Sequence, residues 1–183
     1  MGTLTYADYA ALPDDGRRYE LIDGELVMTP SPGFPHQWVV GRLFVTLDEH
    51  VRSRKLGIVF LSPLDVILSE RSAPQPDIGF VDRAGEALIT DRGIEGAPHL
   101  VVEVLSPSRP AHDLVTKRRL YREHGVPHYW IADPERRTLE GLVLGREDYA
   151  LEAQFSGDEV ASLRPFPALA IPLAEVWWPP LRR

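Results

Sequence analysis

The sequence predicts an α/β (α+β) fold, a mixed central sheet flanked by helices with an additional antiparallel hairpin, and three stretches predict it. The run HLVVEVLS at 99–106 is apolar at successive positions, as a strand covered on both faces of a sheet must be. In PHQWVVGRLFVTLDEHVRSRK, Val40, Leu43, Phe44, Leu47 and Val51 recur at helical spacing, which gives a long amphipathic helix able to cover such a sheet. In RRYELIDGELVMTP, two short runs flank Asp23-Gly24, a pair whose residue types suit a type I′ turn and hence a β-hairpin. The 183 residues, without repeats or an obvious linker, suit one domain spanning 1–183.

The remaining elements follow in order. TYADYAALP is a short helix with Thr5 as its N-cap. With a two-residue turn, Tyr19, Leu21, Leu26 and Met28 share one hairpin face, and Glu20, Ile22, Glu25 and Val27 share the other. That assignment puts Glu20 on the non-core face, where a solvated carboxylate is expected. GIVFLSPLDVIL reads as one or two strands and PDIGFVD as a short one. DLVTKRRLYREHG is a helix stopped by Gly125, and PHYWIAD the strand after it. RTLEGLVLGREDYALEAQF is antiparallel hairpin material, and FPALAIPLAEVWW closes the domain. Tyr129 and Trp130 are expected in the core, and Trp177 and Trp178 over a sheet edge or a dimer contact.

Composition narrows the functions. A chain with 44% hydrophobic and 26% charged residues folds as an ordinary globular protein. No apolar stretch approaches the ~20 residues a membrane helix needs. The acidic start MGTLTYADYAALPDD lacks the cationic region and apolar core of a signal peptide, so a cytoplasmic protein without membrane contact is expected. With no cysteine, disulfides, thiolate zinc sites and thiol nucleophiles are excluded. The histidines lack zinc-ligand spacing, the glycines form no phosphate-cradling loop, and Ser106 and Ser108 follow a strand without a nucleophile elbow. A net charge of −7 argues against a broad nucleic-acid-binding surface, because Lys and Arg supply most non-specific affinity for phosphates.

One residue defies this plain reading. Glu103 stands in the middle of LVVEV, and an unpartnered carboxylate buried in a sheet costs several kcal/mol or gives up its charge. It needs a cation, a donor or a metal. Asp77 opens the preceding predicted strand, so neighbouring strands could bring both acids to a common edge, where a hard divalent cation takes carboxylate, carbonyl and water oxygens. The Val104 carbonyl is placed to help. Arg109 could instead pair with Glu103, and Asp77 could merely cap the turn after Pro76. At about 100° per residue, Leu114, Leu120, Tyr121 and His124 mark the inward face of their helix, and Lys117 falls near its centre, either snorkelling to solvent or paired with a buried acid.

The order of elements, the Pro76-Asp77 pair and Glu103 on the next strand resemble the core of the PD-(D/E)XK nuclease superfamily. More narrowly, YELIDGEL, PDIGFV, LVVEVLSPS, DLVTKRRLY and GVPHYWIADP resemble the Uma-type restriction-endonuclease family over roughly Tyr19 to Trp177. The resemblance implies a restriction-endonuclease-like core and Mg²⁺- or Mn²⁺-dependent hydrolysis of nucleic acid, DNA in the first place. It implies Asp77 and Glu103 as catalytic metal ligands and Glu20 as an extra metal or water ligand. It also implies a lysine two residues after the glutamate, and Leu105 stands there. The arrangement resembles superfamily members in which that lysine has moved to the following helix, which points to Lys117.

Substrate contacts are expected from His36, near a helix start, and from Arg109, Arg118 and Arg122, since an acidic protein must use a local basic rim. A homodimer would let two sites address both strands. The competing class is an inactive binding or structural module in which the acids and Lys117 form an internal ion-pair network. A carboxylate-pair glycosidase ranks last, for want of an aromatic-rich sugar cleft.

Overall fold

A computed structural model of the chain describes residues 3–106 and 111–178. The first helix, α1 (Tyr6–Ala10), starts in a capping box: Thr5 accepts from the Asp8 amide while Asp8 accepts from the Thr5 amide. β1 (Arg18–Ile22) and β2 (Glu25–Thr29) form the hairpin. Asp23 and Gly24 both take positive φ, 51° and 80°, as a type I′ turn requires. α2 (Phe34–Arg54) is the long helix, and it buries Val39, Val40, Leu43, Leu47 and Val51.

The chain continues through β3 (Gly57–Leu61), β4 (Val66–Ile67), β5 (Ile78–Asp82), β6 (Ile89–Thr90), β7 (Gly93–Glu95) and β8 (Leu100–Val104). After α3 (Ala111–Glu123) come β9 (His128–Asp133), β10 (Thr138–Leu144), β11 (Tyr149–Ser156), β12 (Val160–Ala161) and β13 (Ile171–Pro172). Six strands make the central sheet in the order β11-β10-β9-β8-β5-β3. Only β8 and β9 run parallel within it, and α3 is the crossover between them. The sheet is therefore mixed, and β10 and β11 extend it.

Both faces of the sheet are covered. On β8, Leu100, Val102 and Val104 join the cluster built on α2, while Val101 faces Tyr121, Val126 and Tyr129 on the α3 side. Glu103 alternates with Val101 and lies on that second face. Two fully buried residues of α3, Leu120 and Tyr121, anchor the helix there. On β5, a Cβ at position 79 would come within 2.0 Å of the Phe60 ring, so the glycine leaves room for Phe60 to lie across the strand. Trp130 is buried as expected. Trp177 is buried in the main core and donates to the Gly157 carbonyl, just after the edge strand β11, at 2.6 Å. Trp178 packs edge-on against Phe34 and Trp38 at the start of α2. No helix among the described residues is long and apolar enough to cross a membrane.

Candidate active site

Asp77 stands immediately before β5, and Glu103 lies within β8. The antiparallel register pairs Ile78 with Val102, so these two acids are the next residues along the neighbouring strands and point to the same face. Asp77 Oδ2 accepts the Val104 amide at 2.8 Å, which ties the start of one strand to the end of the other. His36 Nε2, in the first turn of α2, lies 3.3 Å from the same oxygen. Burial pushes Asp77 up, but the bond and charge of His36, the charge of Lys117 and the Val104 amide outweigh it. The carboxyl titrates below its usual range.

Glu103 is 5% exposed and has two donors on one oxygen. Lys117 Nζ lies 2.9 Å from Oε1, and the Tyr121 hydroxyl donates to the same Oε1 at 2.7 Å. Lys117 and Tyr121 are four residues apart on α3, one helical turn, and so reach one acceptor together. Burial, reinforced by the charges of Asp77 and Glu20, pushes the Glu103 carboxyl up to about 7 against the opposing pull of Lys117 and Tyr121. The Tyr121 phenol is itself raised well above its usual value by burial and by Glu103, so it stays protonated and a donor.

Glu20 departs from the expectation. It is buried, 2% exposed, not solvated on an outer face. Its Oε1 lies 2.9 Å from Lys117 Nζ and accepts the Gln75 amide at 2.7 Å, and Oε2 accepts from Thr29 at 3.4 Å. The reason is that β1 is covered on both faces: Leu21 is fully buried on one, and Glu20 meets α3 on the other. Lys117 thus joins β1 to β8, itself only 5% exposed.

Three carboxylates, Glu20, Asp77 and Glu103, converge on one lysine and one histidine among the described residues, where little water reaches. Among the described residues no three His, Asp or Glu side chains form a ready-made metal cage. Mg²⁺ does not require one, since it binds through one or two carboxylates with water and carbonyl oxygens. The donor set here, two carboxylates on adjacent strands beside Val104, is all oxygen and suits a hard dication.

A cavity of about 130 Å³ opens beside Glu20, His36 and Asp77, with Arg18, Gln75, Val104 and Ser106 also among its walls, while Glu103 and Lys117 are not among them. His36 therefore reaches the cleft. Arg118 does not line it: its guanidinium pairs with Asp148 at 3.1 Å and donates to the Tyr149 carbonyl at 2.9 Å. Arg122 pairs with Glu123 at 3.3 Å and is likewise absent from the walls. Arg109 and Ser108 lie outside the described residues. Sequence reasoning missed Tyr121 as a partner of Glu103, although its place four residues after Lys117 on the inward face was the available signal. It also missed Gln75 and Arg18, for which no sequence pattern spoke.

Comparison with known proteins bears on the family and the fold. The model of the Uma2 family, described as "Putative restriction endonuclease", matches residues 6–174. No curated protein matches the chain. A solved structure of a "putative nuclease belonging to DUF820" from Anabaena variabilis ATCC 29413 superposes with a TM-score of 0.78 at 18% identity, over 95% of this chain and 97% of that one. At that identity the likeness carries the fold alone, a mixed sheet with flanking helices. The family match spans nearly the whole chain, and the protein belongs to the Uma2 family.

Proposed function

We propose that the protein is a Mg²⁺- or Mn²⁺-dependent endonuclease that hydrolyses phosphodiester bonds in DNA, with its active centre at the Asp77–Glu103–Lys117 cluster. The observation that carries this reading is Lys117, whose ammonium lies 2.9 Å from Glu103 on the strand next to Asp77 and stands in for the lysine missing at Leu105. Membership of a family described as restriction endonucleases supports the reaction class. Asp77, Glu103 and the Val104 carbonyl would hold the cation, with Glu20 as a further oxygen ligand to it or to water. When bound there, a divalent cation lowers the pKa of its water and neutralises charge developing on the phosphoryl oxygens. Lys117 keeps the two glutamates in place and supplies a fixed positive charge that favours the transition state. His36, on the cleft wall, contacts the substrate phosphate.

The test is a cleavage assay on single- and double-stranded DNA and RNA with Mg²⁺ or Mn²⁺, with Asp77→Ala and Lys117→Ala as controls. Cleavage of DNA that both variants lose supports the proposal. Metal-independent cleavage, or cleavage that survives Asp77→Ala, overturns it. A second reading has its own observation: Lys117 bonds two acids at once, as a purely structural lysine would. On that reading the fold is an inactive module, no substrate is cleaved under any metal, and Lys117→Ala lowers stability alone.

A further inference from the structure

The acidity of the chain poses a problem for any nucleic-acid substrate, and many of its described arginines do not relieve it. Arg42, Arg92, Arg118, Arg137 and Arg164 are each paired with a described acid, as Arg119 is with Asp23 and Glu123. Arg18 is different. It begins β1, is exposed, has no described acid within ion-pair distance, and is the only described Lys or Arg on the wall of the cleft. Its register partner on β2, Thr29, lines the same wall.

A second cavity, about 320 Å³ and so of the size of small-molecule sites, adjoins the first. The two share Arg18 and Gln75. Beyond Arg18 the second cavity is walled by Tyr9, Leu12, Pro13, Arg17 and Tyr19. Its acids are turned into the protein's own structure. Asp65 accepts from Tyr6, Tyr9 and Gln75, while Asp14 and Asp15 accept the amides of Gly16 and Arg17. Their charge still disfavours a phosphate there and leaves the space to a neutral nucleoside, beside aromatic residues against which a base can stack. The phosphate belongs on Arg18, between the two cavities.

We infer that the scissile strand leaves the cleft across Arg18 and places the neighbouring nucleoside, unstacked, in the second cavity, so that the substrate is single-stranded DNA. The inference rests on the nuclease reading of the cleft. A base inside a duplex is stacked and paired and would have to be extruded first, at a cost of a few kcal/mol, whereas a single strand offers it directly. A duplex also presents two phosphate backbones, and the one unpaired arginine among the described residues at the rim can serve only one of them.

The test is binding of short fluorescent oligonucleotides, single-stranded and duplex, to the full chain in EDTA, read by anisotropy, so that no cleavage intervenes. Arg146→Glu, at an exposed position between β10 and β11, makes the same change in net charge as Arg18→Glu and serves as control. The wild type should prefer the single strand. Arg18→Glu should weaken single-strand binding by about tenfold or more while Arg146→Glu stays near wild type, and Arg18→Ala should lower the salt slope by about 0.7, the loss of one phosphate contact. In cleavage, Arg18→Ala should raise KM with little change in kcat. Melting curves confirm that the variants fold, and Arg18→Ala decides the matter should the reversal not fold. Equal effects of the two charge reversals, or a preference for duplex, overturn the subsite while leaving the nuclease reading intact. A wild type that binds neither form and cleaves nothing overturns both.

Discussion

At one end of the β5–β8 strand pair, Asp77 and Glu103 meet Lys117 and His36; at the other, Asp82 meets His99, with His128 beside it at the start of β9. The two ends are built from similar residue types on the same strands, and they differ in what surrounds the charges. Asp82 and His99 are 3.5 Å apart, with side chains 36% and 38% exposed, and the His99 ring lies 5.5 Å from that of His128. Water can solvate that pair. At the cleft end Glu20, Glu103 and Lys117 are almost wholly buried. A histidine–carboxylate pair on a strand end is thus ordinary; three carboxylates gathered around a buried lysine are not.

The largest way to test that difference is to remove the central charge at each end. Lys117→Met should cost about 3–5 kcal/mol in urea unfolding, since it leaves two buried carboxylates without their shared cation. Next in size is metal: at a free concentration a hundredfold above Kd, Mg²⁺ should add about 2.7 kcal/mol of stability. The accompanying rise in Tm should vanish in Asp77→Asn and be untouched by His99→Ala; a rise that survives Asp77→Asn would place the cation elsewhere. Tyr121→Phe should cost about 1.5–3 kcal/mol, the range for a hydrogen bond to a charged group, because it takes one of two donors from Glu103.

The two ends should also pull stability in opposite directions with pH. Glu103 titrates at about 7 in the folded chain against 4.5 ordinarily, so the folded state holds the extra proton between those values and stability falls as pH rises through them. His128 is lowered from 6.5 to about 4, chiefly by burial with His99 adding to it, so the unfolded state holds the extra proton and stability rises with pH over that window. Glu103→Gln should leave the rising slope exposed between pH 4.5 and 6.5, and His128→Gln the falling one. Matching profiles for the two variants would break the comparison. The smallest effect belongs to the exposed pair: His99→Ala should change stability at pH 7 by less than about 1 kcal/mol.

Much of this arrangement was legible in the chain. The strand with Glu103, the strand after Asp77, the crossover helix and its inward Lys117 all follow from apolar runs, a glycine stop and helical periodicity, because each signal is local. Glu20 was misplaced for a physical reason. Period-two alternation sorts a strand into an inner and an outer face, and β1 has no outer face at that point: its Glu20, Leu21 and Ile22 are all buried. Arg18 and Gln75 were invisible because their importance comes from two cavities that abut. Arg118 and Arg122 looked suitable as basic residues on the right helix, but pairing with Asp148 and Glu123 depends on a distant turn in the one case and an adjacent side chain in the other.

The two ion pairs of Lys117 have a mechanical consequence. The β1–β2 hairpin forms its own two-stranded sheet, joined to neighbouring chain through the Leu21–Ala73 bridge and the Gly24 contacts to Leu4 and Arg71. Lys117 fastens that outlying flap to the crossover helix with Glu20 as the hook, while its other bond, to Glu103, reaches the centre of the main sheet. Should the flap lift, the hook leaves first and the lysine keeps its grip on the sheet. Amide exchange in β1 and β2 would then proceed by a local opening that leaves β8 protected, and a metal that binds Glu20 as well would slow it.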